Sequence, residues 1–192
     1  RIIVERSQTY GGEREIGQSA PVKEHTIRFS PPRSSQVITW TSEYDASLGR
    51  TNFNLLAVHV LDGVPYIVAS PNLCLSYNKW GRPNPPYVFF RYDGNGWQRI
   101  SLEQFPPEFQ TVNVAFGIGG RDVKELVSLH LASVEKIEEL NRGLTRPEFR
   151  TILREPMANA GGSRCVEMIH YKCGWISPHG TFGRELMDKS CK

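Results

Sequence analysis

Alternating apolar and polar residues dominate residues 1–116 and predict a protein built mainly from β-strands. His25 to Phe29 alternates in the manner of a half-buried strand, and Phe53 to Leu61 is the most apolar run of the chain. β-branched and aromatic residues favour strands at further positions. The predicted strands cover residues 1–6, 25–29, 36–41, 53–61, 64–69, 87–92 and 97–102, with a further candidate at 111–116.

Two turns should join these strands into hairpins. Asp62-Gly63 separates two apolar runs, and both residue types tolerate the positive φ angles of a two-residue hairpin turn. Residues 93–96, Asp-Gly-Asn-Gly, connect the last two predicted strands. Pro65 cannot donate a ladder hydrogen bond, so its strand should start at a sheet edge. Trp40 and Trp97 lie on predicted strands and are expected in the core.

Helical periodicity begins later in the chain. Apolar residues recur every three or four positions over residues 122–142, and Asp122 with Glu125 has the spacing of a capping box. Gly143 is placed to end this helix. A second, shorter helix is predicted over residues 145–155, with a proline near its first turn.

Strands followed by helices indicate the α+β class. We therefore predict a mainly antiparallel β-sheet, a hairpin meander, with a late helical pair. Residues 1–192 should form a single domain, with a β-rich part (1–116), the helical pair (117–156) and a cysteine-containing tail (157–192). The link between the hairpins, residues 71–86, is predicted as a loop because proline disfavours helix interiors.

The composition is that of an ordinary globular chain: 192 residues, 39% hydrophobic, with a formal net charge of +3. Nucleic-acid binders usually carry a denser basic patch, so no nucleic-acid partner is expected. The apolar runs are far shorter than the roughly 20 residues of a membrane helix. We expect no transmembrane segment in the numbered chain, while a signal peptide or lipid anchor upstream of Arg1 stays open.

The cysteines bear on the cellular compartment. They are Cys74, Cys165, Cys173 and Cys191. An even number, with three in the tail, suits disulfides in an oxidising compartment, so we predict a periplasmic or other extracytoplasmic location. The alternative is four thiols in a cytosolic protein.

Geometry restricts how these cysteines pair. If residues 165–173 form one strand, Cys165 and Cys173 lie about 26 Å apart, at about 3.3 Å per residue. A disulfide needs Cα atoms within about 7 Å. Cys74–Cys165 with Cys173–Cys191 therefore ranks first, because each bond links separate segments. A turn near Tyr171 would instead permit a Cys165–Cys173 bond.

No residue pattern marks a catalytic or metal site. Residues 116–120 precede a helix as a phosphate-binding loop does, but they lack a complete glycine motif. His170-Tyr171-Lys172 matches only half of a phospholipase D motif. A zinc site from the tail cysteines with His170 and His179 lacks a close CxxC pair. Nothing near Cys74 marks an activated nucleophile. We predict no catalytic residue, no metal and no cofactor.

Residues 77–87 form a segment rich in aromatic residues, arginine and proline. Tyr, Trp and Arg are enriched at binding hot spots, and proline reduces the entropy that a loop loses on association. The predicted partner-binding residues are Tyr77, Trp80 and Arg82. The alternative is a loop folded over the sheet, with Trp80 covering an edge of the core.

The same segment carries a resemblance. Residues 78–94 read Asn-Lys-Trp-Gly-Arg-Pro-Asn-Pro-Pro-Tyr-Val-Phe-Phe-Arg-Tyr-Asp-Gly. They resemble a family of uncharacterised exported proteins of Gram-negative bacteria, and the likeness extends through residues 97–100 and 151–156. Small exported proteins of this kind often look like immunity proteins for type VI secretion effectors, including lipases. The resemblance implies no site residue.

Together these features favour a non-enzymatic periplasmic binding protein. The resemblance implies an immunity protein that neutralises a secreted antibacterial toxin by occluding its active site. Its protein partner would be a secreted effector such as a lipase. Two alternatives stay open: an envelope hydrolase with an unrecognised site acting on glycan or lipid, and a structural envelope component.

Overall fold

The computed structural model describes residues 2–12, 20–118, 120–160 and 165–191. The strands are β1 (Val4–Tyr10), β2 (Val22–Phe29), β3 (Ile38–Ser42), β4 (Tyr44–Asp45), β5 (Arg50–Thr51), β6 (Phe53–Leu61), β7 (Val64–Pro71), β8 (Val88–Tyr92), β9 (Trp97–Ile100), β10 (Ile169–Tyr171) and β11 (Gly174–Ile176). The helices are α1 (Leu73–Lys79), α2 (Gly120–Ser128), α3 (Val134–Asn141) and α4 (Thr181–Ser190), with a 3-10 helix at Pro147–Phe149. Antiparallel sheet predominates, which confirms the α+β prediction.

Two antiparallel sheets share one core. The first has the order β1-β2-β3 and the second the order β6-β7-β8-β9. Ile27 and Trp40 of the first sheet pack in one buried cluster with Leu55 and Ile67 of the second. Trp40 is buried, as predicted, while Trp97 is half-buried at the edge of this cluster.

The second sheet is buried on its other face as well. Successive side chains of a strand point to opposite faces, so Tyr66 and Val68 leave the shared core and contact a second cluster. Phe105 and Ile152, from the segments that follow β9 and the 3-10 helix, cover that face. Burial on both faces explains why the β6–β7 region is the most apolar part of the sequence.

Both predicted hairpins are confirmed. Asp62 and Gly63 have φ angles of 49° and 80°, as a two-residue turn between β6 and β7 requires. The turn between β8 and β9 is closed by Asp93, whose Oδ1 accepts hydrogen bonds from the amides of Asn95 and Gly96, each at 2.9 Å. Pro65 lies just before the point where β8 begins to pair with β7, as expected for a residue without an N–H.

The prediction of a loop over residues 71–86 is wrong in part. Helix α1 occupies residues 73–79 of this link. The prolines of the link are at positions 71, 83, 85 and 86, so all of them lie outside the helix. They limit the length of the helix rather than preventing it.

The long predicted helix over residues 122–142 is two helices. After α2 the chain turns at His130, whose φ is 55°, and α3 starts anew behind Ser133. The Ser133 hydroxyl accepts a hydrogen bond from the Lys136 amide at 3.2 Å and caps α3. The helix therefore breaks where an N-cap residue interrupts the apolar periodicity.

The second predicted helix, residues 145–155, is reduced to the 3-10 helix at Pro147–Phe149. Beyond it the backbone pairs with another segment: the Ile152 amide donates to the Gln110 carbonyl at 2.9 Å, and Thr151 bridges Thr111. The candidate strand 111–116 is reduced to this bridge. Helix α4, in the tail, has no counterpart among the predictions.

Both disulfides of the first-ranked pairing are present. Cys74 and Cys165 have Cα atoms 5.0 Å apart, and Cys173 and Cys191 have Cα atoms 5.7 Å apart. Residues 165–173 are not a single strand, because the chain reverses between β10 and β11. The pairing prediction is thus confirmed although the extended geometry assumed for it is wrong.

Candidate functional site

Helix α1 and the turn that follows it carry the predicted contact residues. The helix begins at Leu73, a bulky residue in a left-handed backbone conformation with φ of 67°. At its other end the Arg82 amide donates to the Tyr77 carbonyl at 2.9 Å, and Gly81 and Arg82 both have positive φ angles. This compact turn brings Tyr77, Trp80 and Arg82 to one place in the fold.

Trp80 is half-buried and covers an edge of the core. Its ring lies 4.5 Å from the ring of Phe53, centre to centre, and its Nε1 donates to Asn52 Oδ1 at 3.1 Å. The Arg99 guanidinium lies 5.6 Å from the centre of the same ring. These contacts support the packing role that the sequence left open for Trp80.

Tyr77 and Arg82 contact each other. Tyr77 is 6% exposed, and the Arg82 guanidinium lies 5.1 Å from the centre of its ring. Burial raises the pKa of the Tyr77 hydroxyl, so the phenol stays protonated near neutral pH. Arg82 Nη1 donates to Asn78 Oδ1 at 2.9 Å, and Nη2 donates to the Cys165 carbonyl at 3.0 Å. Arg82 thereby ties α1 to the cysteine-containing tail.

Asn78 completes this tie. Its Nδ2 donates to the carbonyl oxygens of Cys74 and Val166, both at 2.9 Å, and its Oδ1 also accepts from the Met168 amide at 3.1 Å. The side-chain amide thus uses both donors and both acceptor sites. We call residues 73–82 together with residues 165–168, which the Cys74–Cys165 disulfide joins, the platform.

The rest of the tail is tied to the body of the protein. The Trp175 Nε1 donates to the Ser47 carbonyl at 2.8 Å. The second disulfide joins the β10–β11 turn to the end of α4, where Lys172 and Asp188 form an ion pair at 2.6 Å. These contacts tie the tail to the rest of the fold and its own segments to each other.

Two aliphatic side chains of the platform face solvent. Leu73 is 60% exposed and Val166 is 72% exposed, and each is the immediate neighbour of a cysteine of the platform disulfide. Tyr77 is buried and Trp80 and Arg82 are half-buried. The predicted trio lies together in the platform, and Leu73 and Val166 are its most exposed apolar groups, which sequence reasoning missed.

The four cysteines are all in disulfides, so Cys74 is not available as a thiolate nucleophile. Within residues 2–12, 20–118, 120–160 and 165–191, no group of three or more His, Cys, Asp or Glu side chains could hold a metal ion. Over the same ranges, no helix is long and apolar enough to cross a membrane.

A second polar cluster lies on the inner face of the three-stranded sheet. Arg6 and Gln8 of β1 and His25 of β2 line a cleft of about 470 Å³. Sequence reasoning treated His25 only as one of several histidines. Its place in the alternation with Ile27 and Phe29 was the available signal, because that pattern puts a histidine on the buried face of β2.

No protein-family model matches the chain, and neither a curated protein nor a solved structure is significantly similar to it. What the molecule does must therefore be inferred from its own geometry.

Proposed function

We propose that this protein is a non-enzymatic, extracytoplasmic binding protein whose platform contacts a protein partner. In the more specific form of the proposal, it is an immunity protein that neutralises a secreted antibacterial toxin by occluding the toxin's active site. The resemblance of residues 78–94 to exported proteins motivates the specific form.

The observation that carries the proposal is the state of Leu73. A left-handed backbone costs a non-glycine residue on the order of 1 kcal/mol, and Leu73 adopts one while its side chain remains 60% exposed. Folding alone gives no reason for a leucine that is both strained and exposed. Backbone strain of this kind concentrates at functional positions, and contact with a partner would bury the side chain.

The rigidity around Leu73 supports the same proposal. The disulfide and the side chains of Asn78 and Arg82 hold the two platform segments together before any partner binds. A surface that is already ordered loses little conformational entropy on association. On this proposal Tyr77, Trp80 and Arg82 contribute chiefly by positioning the platform, and Leu73 with Val166 provides apolar contact area.

The cysteines support the proposed location. The two disulfides are compatible with an oxidising compartment, where such bonds form and persist. A toxin that acts in the bacterial envelope would be met in that compartment.

A competition experiment in the native host tests the proposal even while the toxin is unidentified. The gene is deleted, and the deletion strain is grown alone in shaken liquid and on a solid surface mixed with its parent. We expect normal growth in liquid and killing by the parent on the surface, reversed by an exported wild-type copy. A hydrolase or structural component of the envelope would instead cause a defect in liquid as well. Equal survival of the two strains on the surface would overturn the proposal.

Variants of the platform then locate the contact. Leu73→Asp with Val166→Asp should abolish protection, because two charges would be placed in an apolar interface. Val37→Asp is the matched control, since Val37 is 54% exposed and lies outside the platform. Circular dichroism would verify that each variant folds. Protection by the double variant equal to that of the control would place the interface elsewhere.

A further inference from the structure

The cleft beside β1 and β2 combines a polar cluster with apolar walls. Its volume is about 470 Å³, which is within the size range of small-molecule sites. Arg6, Gln8 and His25 supply the polar side chains. Leu55 of β6 and Phe116 and Val123 from the segment that leads into α2 supply apolar ones.

Arg6 brings a partly buried positive charge into this cleft. Its Nη1 donates to the Ala115 carbonyl at 2.7 Å, while its Nε is buried and has no hydrogen-bond partner among the described residues. None of the ion pairs among the described residues includes Arg6. Burial lowers the pKa of its guanidinium to about 10, so the group remains charged at neutral pH. A buried charge without a counter-charge is costly unless a ligand provides one.

His25 brings a second donor without an acceptor. Gln8 Nε2 lies 3.0 Å from His25 Nδ1, and the Tyr10 hydroxyl donates to Gln8 Oε1 at 3.0 Å, which orients the amide. Nδ1 is therefore the acceptor, and this hydrogen bond assigns the proton to Nε2. The residue is 3% exposed, and within the described part of the chain its Nε2 has no hydrogen-bond partner. Burial, with a contribution from the charge of Arg6, lowers the pKa of His25 to about 4, so the ring is neutral at pH 7.

Strand register brings the two donors together. Arg6 pairs with Ile27 and Gln8 pairs with His25, so all four side chains share the inner face of the sheet. Arg6 and His25 are diagonal neighbours across the pair, which places their Cα atoms about 7–8 Å apart. One carboxylate can span such a gap between two long or planar side chains.

We propose that this cleft binds a small organic carboxylate, with its head group between Arg6 Nε and His25 Nε2 and its apolar body against Leu55, Phe116 and Val123. A carboxylate accepts several hydrogen bonds and carries the one negative charge that a single guanidinium balances. Neither nitrogen contacts solvent in the free protein, so binding on this proposal requires that the Arg6 side chain move to admit the head group. The site goes beyond the proposed function, and its ligand is separate from the toxin.

Octanoate is the probe for this site, and calorimetry with purified full-length protein is the measurement. We expect saturable binding of octanoate with a dissociation constant below about 1 mM. Octanamide, which has the same apolar body without the charge, should bind at least tenfold more weakly. Inorganic phosphate tests the head group alone and should compete only weakly, since it has no apolar body.

Variants separate the head-group site from the rest of the cleft. Arg6→Met should weaken octanoate binding at least tenfold, because it removes the positive charge. His25→Gln should weaken binding severalfold, because it removes the Nε2 donor. Glutamine is chosen because its side-chain oxygen can still accept the hydrogen bond from Gln8. Arg99→Met is the matched control: it removes an exposed guanidinium outside the cleft and should leave binding unchanged. Thermal unfolding verifies that all variants fold. In nuclear magnetic resonance titrations, bound octanoate should raise the pKa of His25, which apolar binding alone would not do.

Several results would overturn the proposal. Equal affinity for octanoate and octanamide would show an apolar cavity without an anion site, and phosphate binding tighter than octanoate would show a different ligand class. If no binding is detected up to about 10 mM octanoate, the dissociation constant is well above the expected value of about 1 mM. That result would show that the cleft does not bind such a ligand. None of these results affects the competition experiment.

Discussion

Two arginines, one in the platform and one in the cleft, have opposite relations to their surroundings. Arg82 donates to the Asn78 side chain and to the Cys165 carbonyl, and its charge lies over the Tyr77 ring. Arg6 donates to one carbonyl, and among the described residues its buried Nε has no hydrogen-bond partner and its guanidinium takes part in no ion pair. The platform uses its guanidinium to hold the fold together, whereas the cleft retains one at a cost to stability.

This difference is what the two proposed functions require of their surfaces. A surface that meets a protein benefits from rigidity, which internally satisfied polar groups supply. A small anion site must instead keep donors available for its ligand, so its free form is left with unsatisfied groups. The comparison predicts that changes in the platform destabilise the protein, while changes in the cleft affect stability little or improve it.

Loss of the platform disulfide should have the largest effect. In the chain-entropy model, closing the 91-residue separation between Cys74 and Cys165 is worth about 4–5 kcal/mol. The 18-residue separation of the second disulfide is worth about 3 kcal/mol. Urea unfolding of the Cys74→Ala, Cys165→Ala variant should therefore show the greater loss, with Cys173→Ala, Cys191→Ala as its matched control. An equal loss of unfolding free energy in the two variants would show that the platform disulfide contributes no more than the second one. The hydrogen bonds of the platform would then be its main support.

The second largest effect is a pH dependence of the free energy of unfolding that comes from His25 in the cleft. The pKa of His25 is lowered from 6.5 to about 4 by burial and by Arg6, so between these values the unfolded chain binds a proton that the folded protein does not. Stability therefore falls as the pH falls from 6.5 to 4, by about 3 kcal/mol for this group. Below pH 4 the folded protein is protonated too, and the loss from His25 stops.

His25→Gln isolates this contribution, because glutamine does not titrate and its side-chain oxygen can accept the hydrogen bond from Gln8. Chemical unfolding at a series of pH values should show a flatter profile for this variant than for the wild type. His179→Gln serves as the control, since His179 is exposed. An unchanged slope in His25→Gln would show that other groups cause the acid sensitivity.

The two arginines then test the comparison directly. Arg82→Met leaves the Cys165 carbonyl without its donor and should cost about 2 kcal/mol. Arg6→Met likewise leaves the Ala115 carbonyl without its donor, but it also removes a partly buried charge that has no counter-charge among the described residues, so the two effects offset each other and stability should change little. Urea unfolding in a buffer free of organic acids measures both. Equal destabilisation by the two substitutions would remove the distinction between platform and cleft.

The extent to which these features can be predicted from sequence follows from how local each signal is. The hairpin at Asp62 and Gly63 is predictable because the turn residues themselves select the backbone conformation. The break before Ser133 was missed because apolar periodicity outweighed a short capping signal. Residues 151–153 have a helical pattern, yet pairing with residues 110–111 holds them extended, and no local pattern reveals that partner.

The surfaces for which we propose functions are harder to predict from sequence than the hairpins and helices. Tyr77, Trp80 and Arg82 could be grouped from sequence because they lie on one short segment. The bond from Arg82 to the Cys165 carbonyl spans 83 residues of chain, so the structural role of Arg82 could not be predicted. The cleft depends on the register that sets Gln8 opposite His25, and register is a property of the folded sheet.

The smallest expected effect concerns Leu73. Leu73→Asn should raise the free energy of unfolding by up to about 1 kcal/mol, because asparagine tolerates a left-handed backbone better than leucine does. The side chain is 60% exposed, so little apolar burial is lost. Val127→Asn is the control: Val127 is 70% exposed on α2 and is not among the residues with positive φ, so its replacement should not stabilise the protein.

The effect of Leu73→Asn on protection of the host should be opposite to its effect on stability. If Leu73 serves the partner, the more stable Leu73→Asn variant should protect the host less well in the competition experiment, while Val127→Asn protects fully. A variant that gains stability and loses function shows a residue kept for binding rather than for folding. If Leu73→Asn is destabilised instead, the leucine anchors the platform, and the contact with the partner must then be sought at Val166 or elsewhere.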